Sequence, residues 1–211
     1  DGQFRRKFAA EAFNISSDYD TAIFRYFNAD GIIDSFRESY RGSRSLRYGE
    51  NPHQEGKFFG RLDDMFEQLH GKEISYNNLL DIDAAVSLID EFDETSFAVL
   101  KHNNACGLAS RPRLIEAWKA ALAGDPVSAF GGVLITNREL DAETADEIDK
   151  LFFEVIIAPS YKPEALDILK HKKNRIILVQ KRDNDRKDVY RSVLNGLLWQ
   201  QRDLKTERVN D

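Results

Sequence analysis

Apolar residues follow two different periods along the chain. Runs that are apolar at successive positions predict strands buried on both faces, and they occupy residues 97–100, 133–135, 155–158 and 176–179. Between these runs lie stretches with apolar residues three and four positions apart, which is the spacing of one helix face. Strands that alternate with helices in this way predict an α/β layer fold with a largely parallel sheet.

Capping residues indicate where the helices begin. Pro112 precedes an apolar stripe that stops at Gly124, and Pro163 opens another helix. Asp81 precedes a third stripe, so we expect it to cap that helix. The apolar faces of these helices, in chain order, are Ile82, Ala85, Val86 and Ile89; Leu114, Ile115, Trp118 and Leu122; and Leu166 and Leu169.

The two ends of the chain carry weaker patterns. Ser17 is expected to cap a helix whose apolar face is Ala22, Ile23, Tyr26 and Phe27. Residues 31–45, rich in glycine and serine, are interpreted as a connection into the core. Residues 181–188 mix charges of both signs and are predicted to form an exposed loop.

The run at residues 46–54, Leu-Arg-Tyr-Gly-Glu-Asn-Pro-His-Gln, is dense in directional hydrogen-bonding groups. Its Gly and its Asn-Pro pair indicate a loop. Arg47 can hold a phosphate or carboxylate with a bidentate fork, and Tyr48 and His53 add a phenol and an imidazole. The alternative is a solvated connection, because loops are polar by default.

A second polar segment follows the predicted strand at residues 97–100, and α/β folds tend to bind ligands at the carboxyl ends of strands. There, Lys101 and His102 suit proton transfer, because imidazole titrates near neutral pH and a neighbouring ammonium favours its neutral form. The ammonium could also stabilise a developing oxyanion. The alternative is a buried, hydrogen-bonded histidine beside a lysine that reaches solvent.

Two further segments are candidates for ligand contacts. Residues 124–132 are also expected at the carboxyl end of a strand; their Gly131-Gly132 lets the backbone approach a ligand, but no Gly-Lys-Ser/Thr follows, so this is not a P-loop. A purely structural turn is the alternative for that segment. Residues 75–81 lie at the head of a predicted helix, where Asn77 or Asn78 could contact a substrate.

Composition excludes several function classes. The 211 residues include 30 Lys and Arg against 36 Asp and Glu, and this net charge of −6 argues against a nucleic-acid-binding surface. Cys106 is the one cysteine, which excludes an internal disulfide and fits a reducing compartment. No apolar run approaches the roughly 20 residues of a membrane span. The chain does not begin with Met, so we expect an excised or processed piece.

Four of these segments together resemble the aminoimidazole carboxamide ribonucleotide (AICAR) transformylase domain of the bifunctional purine-biosynthesis enzymes, which also carry an inosine monophosphate cyclohydrolase domain. The matching runs are residues 47–54, Lys101-His102 followed by Asn104 and Gly107, residues 125–132, and residues 154–159. The resemblance extends from the first helix to residues 196–198. Four motifs in family order are far more specific than any one of them.

The resemblance implies a three-layer αβα fold of the cytidine-deaminase-like kind. Residues 1–45 would form an N-terminal helical segment and linker, and residues 46–211 the first cytidine-deaminase-like subdomain of the transformylase. The second half of that domain and the cyclohydrolase domain would be absent. Zinc chemistry of the deaminase type is not expected, because the sequence has no Pro-Cys-x-x-Cys, and no metal is predicted.

The resemblance also implies a reaction, the transfer of a formyl group from 10-formyltetrahydrofolate to the 5-amine of AICAR. His102 would be the base, and Lys101 would assist the tetrahedral intermediate and the folate nitrogen. The implied substrate-binding residues are Arg47 and Tyr48 at the phosphate, Gly131 and Glu154 at the heterocycle or ribose, and His53 and Asn78 as further contacts.

The implied partners are AICAR and folate, with no nucleic acid and no membrane, in a cytoplasmic homodimer. Two departures from the family pattern bear on activity: Ala105 stands where the family has proline, and the chain stops at Asp211. A truncated half-domain that binds AICAR without catalysing transfer is therefore the alternative function. A non-catalytic dimerisation scaffold is a third.

Overall fold

The computed structural model describes residues 2–182, 187–203 and 205. The chain divides into two compact units, one made of Asp1–Ser45 with Lys57–Gly60, the other of Leu46–Gly56 with Arg61–Asp211. Of the loop predicted at residues 181–188, residues 183–186 lie outside the described part, and the preceding Lys181 and Arg182 are exposed.

The smaller unit contains one long helix and a two-stranded sheet. Helix α1 spans Gly2–Phe27 and buries none of its residues, while β1 (Ser43–Ser45) pairs antiparallel with β2 (Lys57–Phe59). The predicted helix start at Ser17 is wrong, because Ser17 lies inside α1, where its hydroxyl donates to the carbonyl of Asn14. A helix-interior serine can satisfy its hydroxyl in this way without ending the helix. Within the described residues, no helix is long and apolar enough to cross a membrane.

The larger unit confirms the predicted α/β class. Its elements are α2 Leu62–Met65, β3 Phe66–His70, α3 Tyr76–Ile89, β4 Ser96–Lys101, β5 Asn104–Ser110, α4 Leu114–Leu122, β6 Val133–Thr136, α5 Ala142–Ile148, β7 Val155–Ala158, α6 Pro163–Lys170, β8 Ile176–Gln180, β9 Asp188–Val193 and β10 Gly196–Gln201. Strands β9 and β10 form a separate antiparallel hairpin.

The main sheet has the strand order β3-β8-β7-β6-β4-β5. Strands β6, β7 and β8 are parallel, but β4 runs antiparallel to both β5 and β6, and β3 runs antiparallel to β8. The prediction of a largely parallel sheet is therefore wrong, and the sheet is mixed. The two strands of this sheet that the sequence did not predict, β3 and β5, are edge strands whose sequences lack the continuous apolar run of a strand buried on both faces.

The sheet is covered by helices, as a three-layer αβα fold requires. One buried cluster joins Phe97 and Val99 of β4 to Trp118 of α4, whose ring lies 5.1 Å from that of Phe97. Ala98 and Leu100 are outside this cluster, because successive strand residues point to opposite faces. Helix α3 contacts β4 and β6 and buries its apolar stripe separately from that cluster.

Helix α3 begins earlier than predicted. Ser75 is its cap: the Ser75 hydroxyl accepts from the backbone N–H of Asn78 at 3.2 Å, and the Asn78 side chain accepts from the backbone N–H of Ser75 at 3.2 Å. This reciprocal capping box satisfies two backbone donors at the helix start. Asp81 lies inside the helix, so the prediction that it caps α3 is wrong.

Candidate active site

The predicted polar segments meet at one edge of the main sheet. Leu100, near the end of β4, pairs with Val133 at the start of β6, and Val133 pairs with Val155 at the start of β7. Because β4 is antiparallel to its neighbour, its carboxyl end lies beside the amino ends of β6 and β7. The expected position at a carboxyl end of a strand therefore holds for Lys101 and His102 but is wrong for residues 124–132.

His102 lies in a tight turn between β4 and β5. Lys101 pairs with Asn104, which leaves His102 and Asn103 as the two central residues of the hairpin. Both have positive φ, 53° and 62°, as the two-residue type I′ hairpin requires. Positive φ is uncommon for residues other than glycine and costs on the order of 1–3 kcal/mol. His102 is exposed, so the alternative of a buried histidine does not hold.

Lys101 joins this turn to the glycine segment. Its ammonium donates to the carbonyl oxygen of Phe130 at 2.7 Å. The next residue, Gly131, has a φ of 75° and donates its N–H to the carbonyl of Phe152 at 2.8 Å. The conformation at Gly131 therefore favours glycine. These contacts bring Lys101, His102 and Gly131 to the same edge of the sheet.

The glycine segment is fixed internally by Asp125. Its carboxylate accepts the backbone N–H groups of Ser128 at 2.9 Å and Val127 at 3.2 Å. A hydrogen bond from the Ser128 side chain, together with these backbone bonds, holds the pKa of the Asp125 carboxyl below its ordinary value. The Ser128 hydroxyl is thus engaged in shaping the turn.

Cys106 lies close to the same groups. Partial burial raises the pKa of its thiol, the carboxylate of Asp125 adds to the rise, and the ammonium of Lys101 partly offsets it. The thiol is therefore held in its protonated, poorly nucleophilic form near neutral pH.

Residues 46–56 form a compact loop closed by its own hydrogen bonds. Leu46 donates to the carbonyl of Gly56 at 2.9 Å, and Gly49 donates to that of Gln54 at 2.7 Å. The Gln54 side chain accepts from the backbone N–H of Asn51 at 2.8 Å and from its amide at 3.1 Å. A Cβ on Gly49 would lie 3.0 Å from the Cβ of Gln54, so this close approach depends on glycine.

The loop presents Arg47 and Tyr48 together. The Arg47 Nη2 donates to the Tyr48 hydroxyl at 2.6 Å, and the guanidinium carbon lies 4.6 Å from the Tyr48 ring centroid. Arg47 is exposed, so its remaining donors face solvent and could meet an anion. His53 is exposed in the turn of the loop, and among the described residues no hydrogen bond joins it to the other candidates.

Glu154 is the anionic member of the site. Its carboxylate accepts from Lys72 Nζ at 2.8 Å and from Asn78 Nδ2 at 3.3 Å. Partial burial would raise the pKa of Glu154, but Lys72, Asn78 and the nearby charge of Arg47 outweigh it and lower the pKa. Asn78 is only 6% exposed, and its amide is shared between Ser75 and Glu154.

A cleft of about 500 Å³ opens beside Glu154. Its lining includes Lys72, Phe152, Glu154, Lys172, Lys173 and Arg175. Of these, Arg175 is already paired through Nη1 with Asp149 at 2.7 Å. The lining carries more cations than anions, which favours an anionic ligand.

The first two turns of α3 hold these parts together. The Asn77 amide donates to the carbonyl of Glu50 in the 46–56 loop at 3.0 Å. Asn78 bonds to Glu154, and the Asp81 carboxylate accepts the backbone N–H of Asn103 at 2.7 Å. Because residues four apart lie on one helix face, Asn77 and Asp81 present the same side of α3.

Sequence reasoning missed Lys72 and the true role of Asp81. Lys72 precedes the helix cap beside Glu73, but its ion-pair partner is Glu154, 82 positions away in sequence. An acidic residue before an apolar stripe is a capping signal, so the sequence pattern favours a cap at Asp81. A polar residue inside an otherwise apolar helical stretch was the available clue.

The family model described as the AICARFT/IMPCHase bienzyme matches residues 1–211. Similar curated proteins, each named bifunctional purine biosynthesis protein PurH, come from Bacteroides thetaiotaomicron, 63% identical over 98% of this chain, and Chloroflexus aurantiacus, 43% identical over 94%. The chain spans 41% and 40% of the length of these two relatives. The chain therefore belongs to the AICARFT/IMPCHase bienzyme family.

Proposed function

We propose that this chain supplies the AICAR-binding half of a formyltransferase that acts in purine biosynthesis. The reaction transfers the formyl group of 10-formyltetrahydrofolate to the 5-amine of AICAR. Support comes from the family membership and from one observation: helix α3 is hydrogen-bonded to the Arg47 loop, to Glu154 and to the His102 turn.

The proposed roles follow from the charge and exposure of each group. Arg47 and Tyr48 hold the phosphate, because the guanidinium is exposed and oriented by the phenol. Gly131 and Glu154 contact the heterocycle or ribose, Glu154 as an ionised acceptor. Asn78 supports the substrate through Glu154, and His53 is a peripheral contact from the same loop as Arg47.

The chemical step needs a base and a positive charge. The amine nitrogen of AICAR attacks the formyl carbon, and His102 accepts the proton that the nitrogen loses. Lys101 leaves the Phe130 carbonyl to stabilise the oxyanion of the tetrahedral intermediate. Collapse of the intermediate breaks the bond to the folate nitrogen, which takes up a proton from the Lys101 ammonium, and solvent water returns the proton held by His102 to Lys101.

Calorimetry with AICAR tests the binding half of the proposal. We expect a saturable heat signal with this chain, and at least a tenfold weaker affinity in Arg47→Ala, because a charge-assisted pair with phosphate is lost. Arg37→Ala, which removes an exposed arginine from the smaller unit, is the matched control. Equal losses in both variants would contradict a specific phosphate contact.

Steady-state kinetics test the chemical half in a longer family protein that carries this chain. We expect His102→Ala and Lys101→Ala each to lower kcat by about 100-fold or more, since a general base and an oxyanion donor each contribute at least about that factor. Undiminished turnover in His102→Ala would overturn the assignment of the base.

A second candidate function is AICAR binding without transfer. It is favoured by the 41% of the relative's length that this chain spans, because residues outside that span could be required for catalysis. It predicts AICAR binding by the isolated chain and no folate-dependent product.

The homodimer and the cytoplasmic location are proposed for the longer protein, and light scattering of that protein tests whether it is a dimer.

A further inference from the structure

The turn that carries His102 is strained and is braced from outside the hairpin. His102 and Asn103 both have positive φ, and neither residue is glycine. The Asn104 amide donates to the carbonyl of His102 at 2.7 Å, which closes the turn from within. The backbone N–H of Asn103 points instead to the carboxylate of Asp81, at 2.7 Å, on helix α3.

We propose that Asp81 is a positioning residue for His102, acting through the backbone of Asn103. Asp81 does not touch the imidazole in this arrangement; it fixes the peptide unit that follows His102. An ionised carboxylate is a strong acceptor for a backbone N–H. A two-residue turn with one of its N–H groups anchored has few alternative conformations, so the direction in which the His102 Cα–Cβ bond leaves the turn is set.

The location of Asp81 adds to this role. The carboxylate lies within the helix, away from the cap position, so it does not serve the start of α3. The same helix face carries Asn77, which holds the loop of Arg47 through the carbonyl of Glu50. One rigid helix therefore sets the spacing between the exposed imidazole and the exposed guanidinium.

The expected loss of kcat rests on the proposed function, whereas the anchoring of the Asn103 amide by Asp81 does not. The structural consequence is measurable in this chain without any substrate. The catalytic consequence is a loss in kcat with little change in KM for AICAR, because the residues proposed to hold the phosphate lie on a separate loop. Misplacing a reacting group by about 1 Å can cost about 100-fold in rate.

Hydrogen exchange followed by NMR tests the structural part. In the unmodified chain we expect slow exchange of the Asn103 amide, and in Asp81→Ala at least about tenfold faster exchange, because the acceptor is gone. Asp81→Asn keeps an oxygen at the same place and should restore most of the protection. Asp83→Ala, an exposed aspartate on the same helix, is the matched control and should leave the Asn103 amide unchanged.

Kinetics in the longer family protein test the functional part. We expect Asp81→Ala to lower kcat by about 10- to 100-fold, Asp81→Asn to recover most of that loss, and Asp83→Ala to match the unmodified protein. Should Asp81→Ala fail to fold, Asp81→Glu, which displaces the acceptor by one methylene, takes its place with the same kcat-specific loss.

Two results would overturn the inference. One is unchanged exchange of the Asn103 amide in a folded Asp81→Ala or Asp81→Glu chain, and the other is an equal loss of kcat in Asp83→Ala. If the Asn103 amide loses protection in Asp81→Ala while His102→Ala retains full turnover, the hydrogen bond from Asn103 to Asp81 is confirmed, and the proposed catalytic role of His102 is wrong.

Discussion

The two halves of helix α3 differ in what they contact. From Ile82 onward, the helix buries Ile82, Val86 and Ile89, each 2% exposed. Its N-terminal half carries Asn77, Asn78 and Asp81, whose side chains bond to the 46–56 loop, Glu154 and the His102 turn. One half anchors the helix in the core, and the other arranges the candidate site.

The difference explains how an exposed site can be well ordered. Loops and turns at a sheet edge bury little apolar surface and would be locally unstable by themselves. Their hydrogen bonds to α3 connect them to an element whose position is set by the core. Substitutions in the two halves should therefore separate stability from ligand binding.

Ile82→Ala should give the largest effect on stability. Removing a buried isoleucine side chain and leaving a cavity costs about 2–5 kcal/mol of unfolding free energy. Urea denaturation measures this loss, with Leu80→Ala, 43% exposed on the same helix, as the control. Similar losses in both variants would contradict the burial of this helix face.

Ser75→Ala should give a smaller loss, about 0.5–2 kcal/mol, because it removes the cap of α3. It also removes the hydroxyl that donates to the Asn78 side-chain oxygen at 2.9 Å, which loosens the amide that holds Glu154, so AICAR affinity should fall with it. Ser87→Ala, within the same helix, is the comparison and should change stability by less than about 0.5 kcal/mol. The cap assignment fails if the two serine variants unfold at the same urea concentration.

Asn77→Ala should weaken AICAR binding more than it weakens the fold. One hydrogen bond is worth about 0.5–1.5 kcal/mol, which corresponds to about a 2- to 12-fold loss of affinity if the Arg47 loop loosens. Calorimetry and urea denaturation of the same variant provide the two numbers. A loss of stability with unchanged AICAR affinity would show that the hydrogen bond from Asn77 to Glu50 does not position the Arg47 loop.

The smallest expected effect is the pH dependence of the stability that the Glu154–Lys72 ion pair contributes. Because the pKa of Glu154 is lowered in the folded state, its stabilisation is present above the ordinary glutamate value of about 4.3 and is lost as pH falls through the folded value. Partly exposed pairs contribute about 0.2–1 kcal/mol. The stability difference between the unmodified chain and Glu154→Gln should thus shrink below about pH 4.

Glu73→Gln controls for the loss of a negative charge near Lys72, since Glu73 is exposed. Urea denaturation between neutral and acidic pH gives both comparisons. A stability difference for Glu154→Gln that stays constant down to acidic pH would contradict a native-state ion pair.

The pattern of apolar residues predicted the buried strands and the buried helix faces of this fold, because both are set by nearby residues in the sequence. The runs at residues 97–100 and 155–158 are buried strands, and the stripe from Ile82 to Ile89 is buried on α3. The direction of β4 was not predictable, because it follows from the hairpin at His102 and Asn103, a pair that lacks the Asn-Gly or Asp-Gly signal of a two-residue hairpin turn.

The candidate site was predictable as residue types but not as an arrangement. Arg47, Lys101, His102 and Glu154 stand out because their chemistry is concentrated beside glycines and strand ends. The partners that orient them, Lys72 and Asp81, come from distant parts of the sequence, and only the folded chain brings them close.

An AICAR titration followed by amide NMR shifts tests most directly whether α3 assembles one nucleotide site. If it does, the amides of Tyr48, His102 and Glu154 shift together and saturate with a single Kd, while the amide of Leu80 on the exposed side of α3 does not move. No saturable shift, or shifts at these three positions with different Kd values, would contradict a single site.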